Sequence, residues 1–475
     1  MIFSQPIFFV FLAALLCIYG LCRTQTERAM TLLAGSLIFY ASWKPAYLIL
    51  LVLSVSLNYL FYSALARTRS KRTLVVALVL NLALLGSIKY LGMLIDTAIA
   101  IAAFAGQPDT GLDSGWTHWA LPLGISFYTF HMLSVMIDVY RGEWTTRISF
   151  RAWWLYISFF PHMVAGPILR ASELVEQLEK LAPLQARDLK IGALIFTGGL
   201  IKKILFADNF AGVADELWAD TAKLDTATAW LAVTAFALQI YFDFSGYSEM
   251  AIGLARAFGV TLPRNFRYPY ISRNPQEFWQ RWHITLSRWL RDYLYVSLGG
   301  NRAGKVRTLA NLMITMVLGG LWHGAAWTFV IWGFLHGAWL VLHRLVQPWL
   351  PRPQATAGQI AWAGLSWGCS IVMVWVTWVF FRAGSVGAAF EVCARMAGLS
   401  GSTAQAPEIR SYVWLLTVLT CVLVLLESSI VTFAADRLER WEKTHPVLRG
   451  TVYAAMVLSL LFFGGSTQRF IYFDF

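Results

Sequence analysis

Twelve apolar stretches recur along this chain, near residues 4–22, 29–42, 45–65, 73–104, 119–137, 190–210, 227–242, 308–322, 325–342, 359–381, 411–433 and 451–464. A helix needs about 20 apolar residues to cross a bilayer, and inside lipid only helices and closed barrels satisfy every backbone polar group. The runs therefore predict an all-α, polytopic transmembrane helical bundle of about 10–12 spans, the shorter runs being broken or re-entrant. Composition agrees, because a chain that is 58% hydrophobic with 22 Trp, 18 Tyr and 32 Phe has more apolar surface than a soluble domain could bury. No linker or low-complexity tract divides it, so residues 1–475 read as a single integral membrane domain. The run from Ser4 to Cys22 lacks a basic n-region and a small-x-small cleavage site and reads as an uncleaved span.

The formal charge of +12 fits either nucleic-acid binding or membrane topology. Topology is favoured, and no nucleic-acid partner is expected, because the basic residues sit in short loops beside apolar runs. Arg67, Arg69, Lys71 and Arg72 form one loop and Arg141, Arg147 and Arg151 another, while Arg256, Arg264, Arg267, Arg273, Arg281, Arg288 and Arg291 crowd a third region. These are expected to face the cytoplasm. Residues 106–118, with Asp109 and Asp113, and residues 211–226, with Asp215, Glu216, Asp220 and Asp225 against Lys223, are expected outside, as is the N-terminus. Five scattered cysteines, Cys17, Cys22, Cys369, Cys393 and Cys421, form no CxxC and read as small hydrophobes; no metal site is expected.

Two segments depart from simple spans. In residues 171–190, Glu173, Glu176, Glu179 and Lys180 alternate with Leu174, Val175, Leu178 and Leu181 at helical spacing, which predicts either an interfacial amphipathic helix or an ordinary connecting one. Pro263 to Gly300 is too polar to span and too aromatic for a free loop. It reads as short helices dipping into the bundle from the cytoplasm, with arginine stems packed on tryptophans.

Of eight histidines, two have loaded surroundings. His323 lies in Gly319-Gly320-Leu321-Trp322-His323-Gly324, within an apolar run. An ionisable group at that depth costs roughly 2 to 4 kcal/mol on insertion scales, so it is a functional candidate by default, with glycines beside it leaving room for another molecule. A neutral imidazole suits a general base, which acyl transfer to an alcohol requires because the attacking hydroxyl must lose its proton. A lone core histidine bonded to a carbonyl is the plain alternative. His283 lies in the aromatic and basic run Phe278 to Tyr293. His336 and His343 fall on the opposite face from His323 if one helix continues through all three, and read as structural, as do His131 and His162. Asp243, at the end of an apolar run, reads as orienting a catalytic group or, slightly better, as pairing with an arginine of residues 264–291. Asp138 is explained by an i,i+3 pair with Arg141.

Six blocks in order resemble the membrane-bound O-acyltransferases, and within them the bacterial polysaccharide branch of alginate and cellulose O-acetylation subunits. They begin at Leu121 (Leu-Pro-Leu-Gly-Ile-Ser-Phe-Tyr), Phe160 (Phe-Pro-His-Met-Val-Ala-Gly-Pro), Tyr241 (Tyr-Phe-Asp-Phe-Ser-Gly-Tyr-Ser), Trp282 (Trp-His-Ile-Thr-Leu-Ser-Arg-Trp), Leu298 (Leu-Gly-Gly-Asn-Arg) and Gly319. The resemblance implies a ring of tilted helices around a thin centre, where a cytoplasmic funnel meets an outer cavity at the family's histidine, here His323, with His283 as the second. It implies a bacterial inner membrane location and a cytoplasmic thioester donor, acetyl-CoA or an acyl carrier, with no bound cofactor. An extracytoplasmic acetyltransferase partner would finish the modification. The ending Phe470 to Phe475 resembles the family's, with Asp474 in place of the usual Gln.

On this reading arginines of residues 263–300 hold the donor's phosphates, His323 is the base, and His283, the Trp322 indole or a backbone N–H binds the oxyanion. Asp243, Ser245, Tyr247, Trp282, Arg291, Asp292 and Tyr293 are site-supporting candidates, Arg291 and Asp292 as a brace. D-alanyl or lipid acyl transfer is the alternative within the class; a proton-coupled transporter or a scaffold of a polysaccharide machine is the alternative outside it. No matched pair of broken helices in two halves favours the transporter.

Overall fold

A computed structural model describes residues 1–107, 115, 121–164, 166–302, 304–351, 353–399, 407–435, 444–464 and 470–471. Among them the regular structure is helical, with no strand. The expected outer segment with Asp109 and Asp113 lies outside the described residues, as do Ala165 of the second block and Asp474.

The first half holds α1 (Pro6–Leu21), α2 (Gln25–Ala41), α3 (Ala46–Thr68), α4 (Lys71–Lys89), α5 (Leu91–Phe104), α6 (Ile125–Arg141), α7 (Phe150–Ser158), α8 (Phe160–Met163), α9 (Ala171–Leu178) and α10 (Ala186–Ile201). The second holds α11 (Asp208–Trp218), α12 (Thr226–Ala257), α13 (Pro275–Arg281), α14 (Ile284–Trp289), α15 (Lys305–His323), α16 (Trp327–Val346), α17 (Thr356–Arg382), α18 (Val386–Met396), α19 (Ser411–Ala435) and α20 (Pro446–Phe463). Among the described residues seven helices are long and apolar enough to cross a membrane: α3, α4, α12, α16, α17, α19 and α20. The helices α1 and α5 are apolar but shorter. The protein is a multi-pass, all-helical membrane protein.

The central pole is α12, 32 residues or about 48 Å long, most of it buried. Its start is set by Asp225, whose carboxylate accepts from the Thr228 N–H at 2.8 Å and hydroxyl at 2.6 Å. Those bonds hold the Asp225 carboxyl below its ordinary range. Helix α10 lies directly on α12: a Cβ on Gly192 would sit 2.5 Å from the Gly253 carbonyl oxygen, and one on Gly199 2.4 Å from that of Gly246. Only glycine allows this backbone contact.

A one-turn π-helical segment, Lys202–Ala207, joins α10 to α11, and a second, Leu290–Tyr295, follows α14. Pro263 to Gly300 forms short helices, as predicted, and sinks deep, with Trp282 1% and His283 0% exposed. The cation–ring contacts beside it are Arg141 and Arg170 over Tyr293. The amphipathic segment stops at Leu178, before Pro183, and buries Leu174, Val175 and Leu178 against neighbouring helices. It is a connecting helix with no apolar face left for lipid.

Helices α3 and α4 meet at the Arg67–Arg72 loop, so Lys89, at the far end of α4, lies at the opposite end of the bundle from those arginines.

Candidate functional site

Helix α15 ends at His323 and α16 starts at Trp327, so the two form a tight hairpin. The glycines beside His323 serve this hairpin and not a ligand. A Cβ on Gly320 would lie 2.3 Å from the Phe329 carbonyl oxygen, and one on Gly324 2.1 Å from the Phe329 ring. The expected room for another molecule is filled by the chain itself. His323 is 4% exposed, its ring 4.9 Å from Trp332, 5.0 Å from Trp322 and 5.4 Å from Phe381.

The last carbonyls of α15 lack intrahelical partners, and α4 supplies them. Lys89 Nζ donates to the Trp322 carbonyl at 2.7 Å and the His323 carbonyl at 3.1 Å, and Tyr90 donates its hydroxyl to Leu321 at 3.0 Å. Beside this clamp is a cavity of about 50 Å³ lined by Trp43, Lys89, Ser126, Phe127, Trp322 and His323, among others. It has room for a hydroxyl group and a water or two.

His283 stands behind, its ring 6.5 Å from that of His323 and 6.2 Å from Trp322. It precedes α14 with φ of 41°, a left-handed conformation uncommon for a residue with a side chain. Asn265 holds the turn: its carbonyl accepts from Ile284 N–H at 2.9 Å, and its Oδ1 accepts from the Thr285 hydroxyl at 3.0 Å. That Oδ1 also lies 3.1 Å from His283 Nδ1. Because Oδ1 can only accept, Nδ1 carries the proton, and a neutral ring then has Nε2 as an acceptor. Nε2 is buried with no hydrogen-bond partner. This tautomer does not suit the expected role of His283 as an oxyanion donor; it suits a proton acceptor.

The third part lies on the arginine-rich side. A cavity of about 460 Å³ is lined by Arg141, Arg170, Arg288 and Arg291, with Glu143, Glu173 and Asp292. Asp292 braces Arg291 at 2.7 Å and also Arg170, and Arg288 meets Glu173 at 2.6 Å. The arginines of residues 263–300 divide between two cavities: Arg288 and Arg291 line this one, and Arg264 and Arg267 line another, of about 390 Å³, with Ser245, Ser248 and Asn265. From the arginine cavity a file of rings leads to the hairpin. Tyr293 lies 5.2 Å from Trp289, Trp289 stacks on Phe130 at 3.7 Å, Phe130 lies 5.3 Å from Trp322, and Trp322 adjoins His323.

The remaining candidates sort elsewhere. Asp243 does not meet an arginine of residues 264–291. It pairs with Lys203 at 2.8 Å, Lys203 also pairs with Asp208 at 2.8 Å, and Asp243 accepts the Ile471 N–H at 2.8 Å. A lysine made that cluster possible because the π-helical segment turns Lys203 inward. Tyr247 packs against Phe3 and Phe470, each at 4.5 Å, away from the two histidines. Trp282 is core, 4.9 Å from Trp378. Asp138 accepts from the Tyr293 hydroxyl at 2.8 Å, while Arg141 instead pairs with Glu143, so the i,i+3 pair is not formed. The chain breaks at Gly324, so His336 is not on the opposite face of a continuous helix; Trp332 contacts both His323 and His336, the latter at 4.7 Å. His131 Nε2 accepts the Leu169 N–H and His162 Nε2 meets the Tyr156 carbonyl, both at 3.0 Å, as braces.

Sequence reasoning missed Lys89, Tyr90 and Asn265. The signal for Lys89 was the one used for His323, an ionisable residue inside the apolar run 73–104. Asn265 carried none, since its role depends on a turn closed across 18 residues.

Residues 114–383 match the model of the MBOAT, membrane-bound O-acyltransferase, family. The chain is 41% identical over 414 residues to the probable alginate O-acetylase AlgI of Azotobacter vinelandii, across 83% of this chain and 78% of the relative. It is 35% identical over 436 residues to the peptidoglycan O-acetyltransferase of Helicobacter pylori, across 84% and 80%. It is 29% identical over 240 residues to the teichoic acid D-alanyltransferase of Bacillus subtilis, across 48% and 60%.

Proposed function

This chain belongs to the membrane-bound O-acyltransferase family and is an O-acyltransferase, and we propose that it moves an acetyl group from a cytoplasmic thioester to the far side of a bacterial inner membrane for O-acetylation of an extracellular polysaccharide. The observation that carries this reading is the position of His323 and His283 between a small cavity and a ring file ending at an arginine cavity.

The arginines suit the phosphates of an acetyl-CoA or acyl-carrier donor. Tyr293, Trp289, Phe130 and Trp322 supply an apolar wall for its arm. His323 is the base: as the acceptor hydroxyl attacks the thioester carbon, its proton passes to the imidazole, and collapse of the tetrahedral intermediate expels a thiolate that takes the proton back. His283, with Nε2 open as an acceptor, shares that proton duty. Orientation with the N-terminus outside puts the arginine cavity in the cytoplasm, in line with the basic loops.

Acetyl is favoured over D-alanyl because the acetylating relatives cover most of this chain and the D-alanylating one about half. An extracytoplasmic acetyltransferase that takes the acetyl group onward is the partner this reading calls for. The test is to restore polymer acetylation in a host lacking its own acyltransferase of this type. His323→Ala at equal membrane abundance is expected to abolish it; full acetylation by that variant would refute the assignment. Purified protein offered acetyl-CoA and an acetylated carrier protein identifies the donor by which thiol is released.

A further inference from the structure

We propose that Lys89 is the oxyanion-binding residue of the acyl-transfer site, which rests on the reading of His323 as the base. Lys89 stands at the end of α4, in an apolar run, beside the cavity that His323 lines. Its ammonium has three N–H donors and no acceptor. Two are directed to the carbonyls of Trp322 and His323. Capping alone does not need a charge here: Tyr90 closes the neighbouring Leu321 carbonyl with a neutral hydroxyl. A third ammonium N–H is therefore left over from the capping role.

The reaction supplies the missing role. When the acceptor hydroxyl attacks the acyl carbonyl, a C–O bond forms and the carbonyl π pair moves onto oxygen, while His323 takes the hydroxyl proton. The oxyanion then needs donors fixed in advance. His283 is not one, since Nδ1–H is engaged by Asn265 and Nε2 is an acceptor. The Trp322 indole N–H is buried without a partner and supplies a neutral donor. Lys89 is the lysine among the residues lining the cavity, and its protonated form has a third N–H beyond its two carbonyl bonds. Anchored through His323's own carbonyl, its ammonium is held in fixed relation to the base. As the intermediate collapses, the electron pair returns to the carbonyl, the C–S bond breaks, and Lys89 keeps its proton throughout.

The experiment uses the full chain in the acetylation-deficient host, with polymer acetyl content normalised to folded protein in the membrane. Wild type sets the baseline, and His323→Ala reports on the underlying reading separately. Lys89→Met is expected to lower acetylation at least about 50-fold, in the range for loss of an oxyanion donor. Lys89→Arg, which keeps charge and donors, is expected to recover most of it. Tyr90→Phe, which removes a brace from the same helix end without touching the charge, is expected to cost less than about fivefold. The proposal is overturned if Lys89→Met acetylates as wild type, if it falls only as folded protein falls, or if Lys89→Arg is no better than Lys89→Met. A fully active His323→Ala would instead remove the reading on which the proposal stands.

Discussion

Two lysines in apolar surroundings, Lys203 and Lys89, have opposite environments. Lys203 is 2% exposed and sits between the carboxylates of Asp208 and Asp243. Lys89 has carbonyls for partners and a cavity at its side. Depth alone therefore does not mark a site: a buried charge neutralised by carboxylates holds structure, whereas one balanced only by dipoles keeps field to spare for a developing anion.

The contrast breaks most sharply at His323. His323→Gln is expected to cost about a hundredfold or more in acyl transfer, measured as polymer acetyl content, with thermal stability in detergent kept. At Lys203 the effect should appear in folding. Asp243→Asn leaves the lysine half-paired and is expected to cost about 3 kcal/mol or more, read as lost membrane abundance and a lower melting temperature. Converting Lys203, Asp208 and Asp243 together to Met, Asn and Asn should recover part of that loss, because no lone charge remains buried. Asn265→Ala frees His283 Nδ1 and is expected to lower acyl transfer about tenfold with donor binding unchanged, measured by steady-state kinetics. The smallest effect is at Asp225. Asp225→Ala is expected to cost about 1 kcal/mol from the α12 cap with no change in turnover. Because the folded carboxyl is held below its ordinary range, that contribution is present above the unfolded value and fades as pH falls through the folded one. The melting temperatures of wild type and variant should therefore converge in acid.

Much of this was legible beforehand. Apolar run length marked the helices, and His323 stood out as an ionisable residue in such a run. The run 73–104 hid a break at Tyr90, and with it the clamp on α15, because hydropathy does not register a turn between two apolar helices. The run 227–242 understated α12, since its lower half is polar yet buried by protein. Asp243 was a visible anomaly, but its partner was not, because Lys203 turns inward only through a π-helical segment. Tyr247 and Trp282 stand in the family blocks, and the packing of Tyr247 on Phe470 and of Trp282 on Trp378 is tertiary and so carries no sequence signal.

The bond from the Ile471 N–H to Asp243 spans 228 residues. During synthesis, Asp243 enters the membrane long before its last partner exists. That acceptor stays open until translation has passed position 471, so the last bond to the buried Lys203–Asp243 pair forms only after the helices around it have been made.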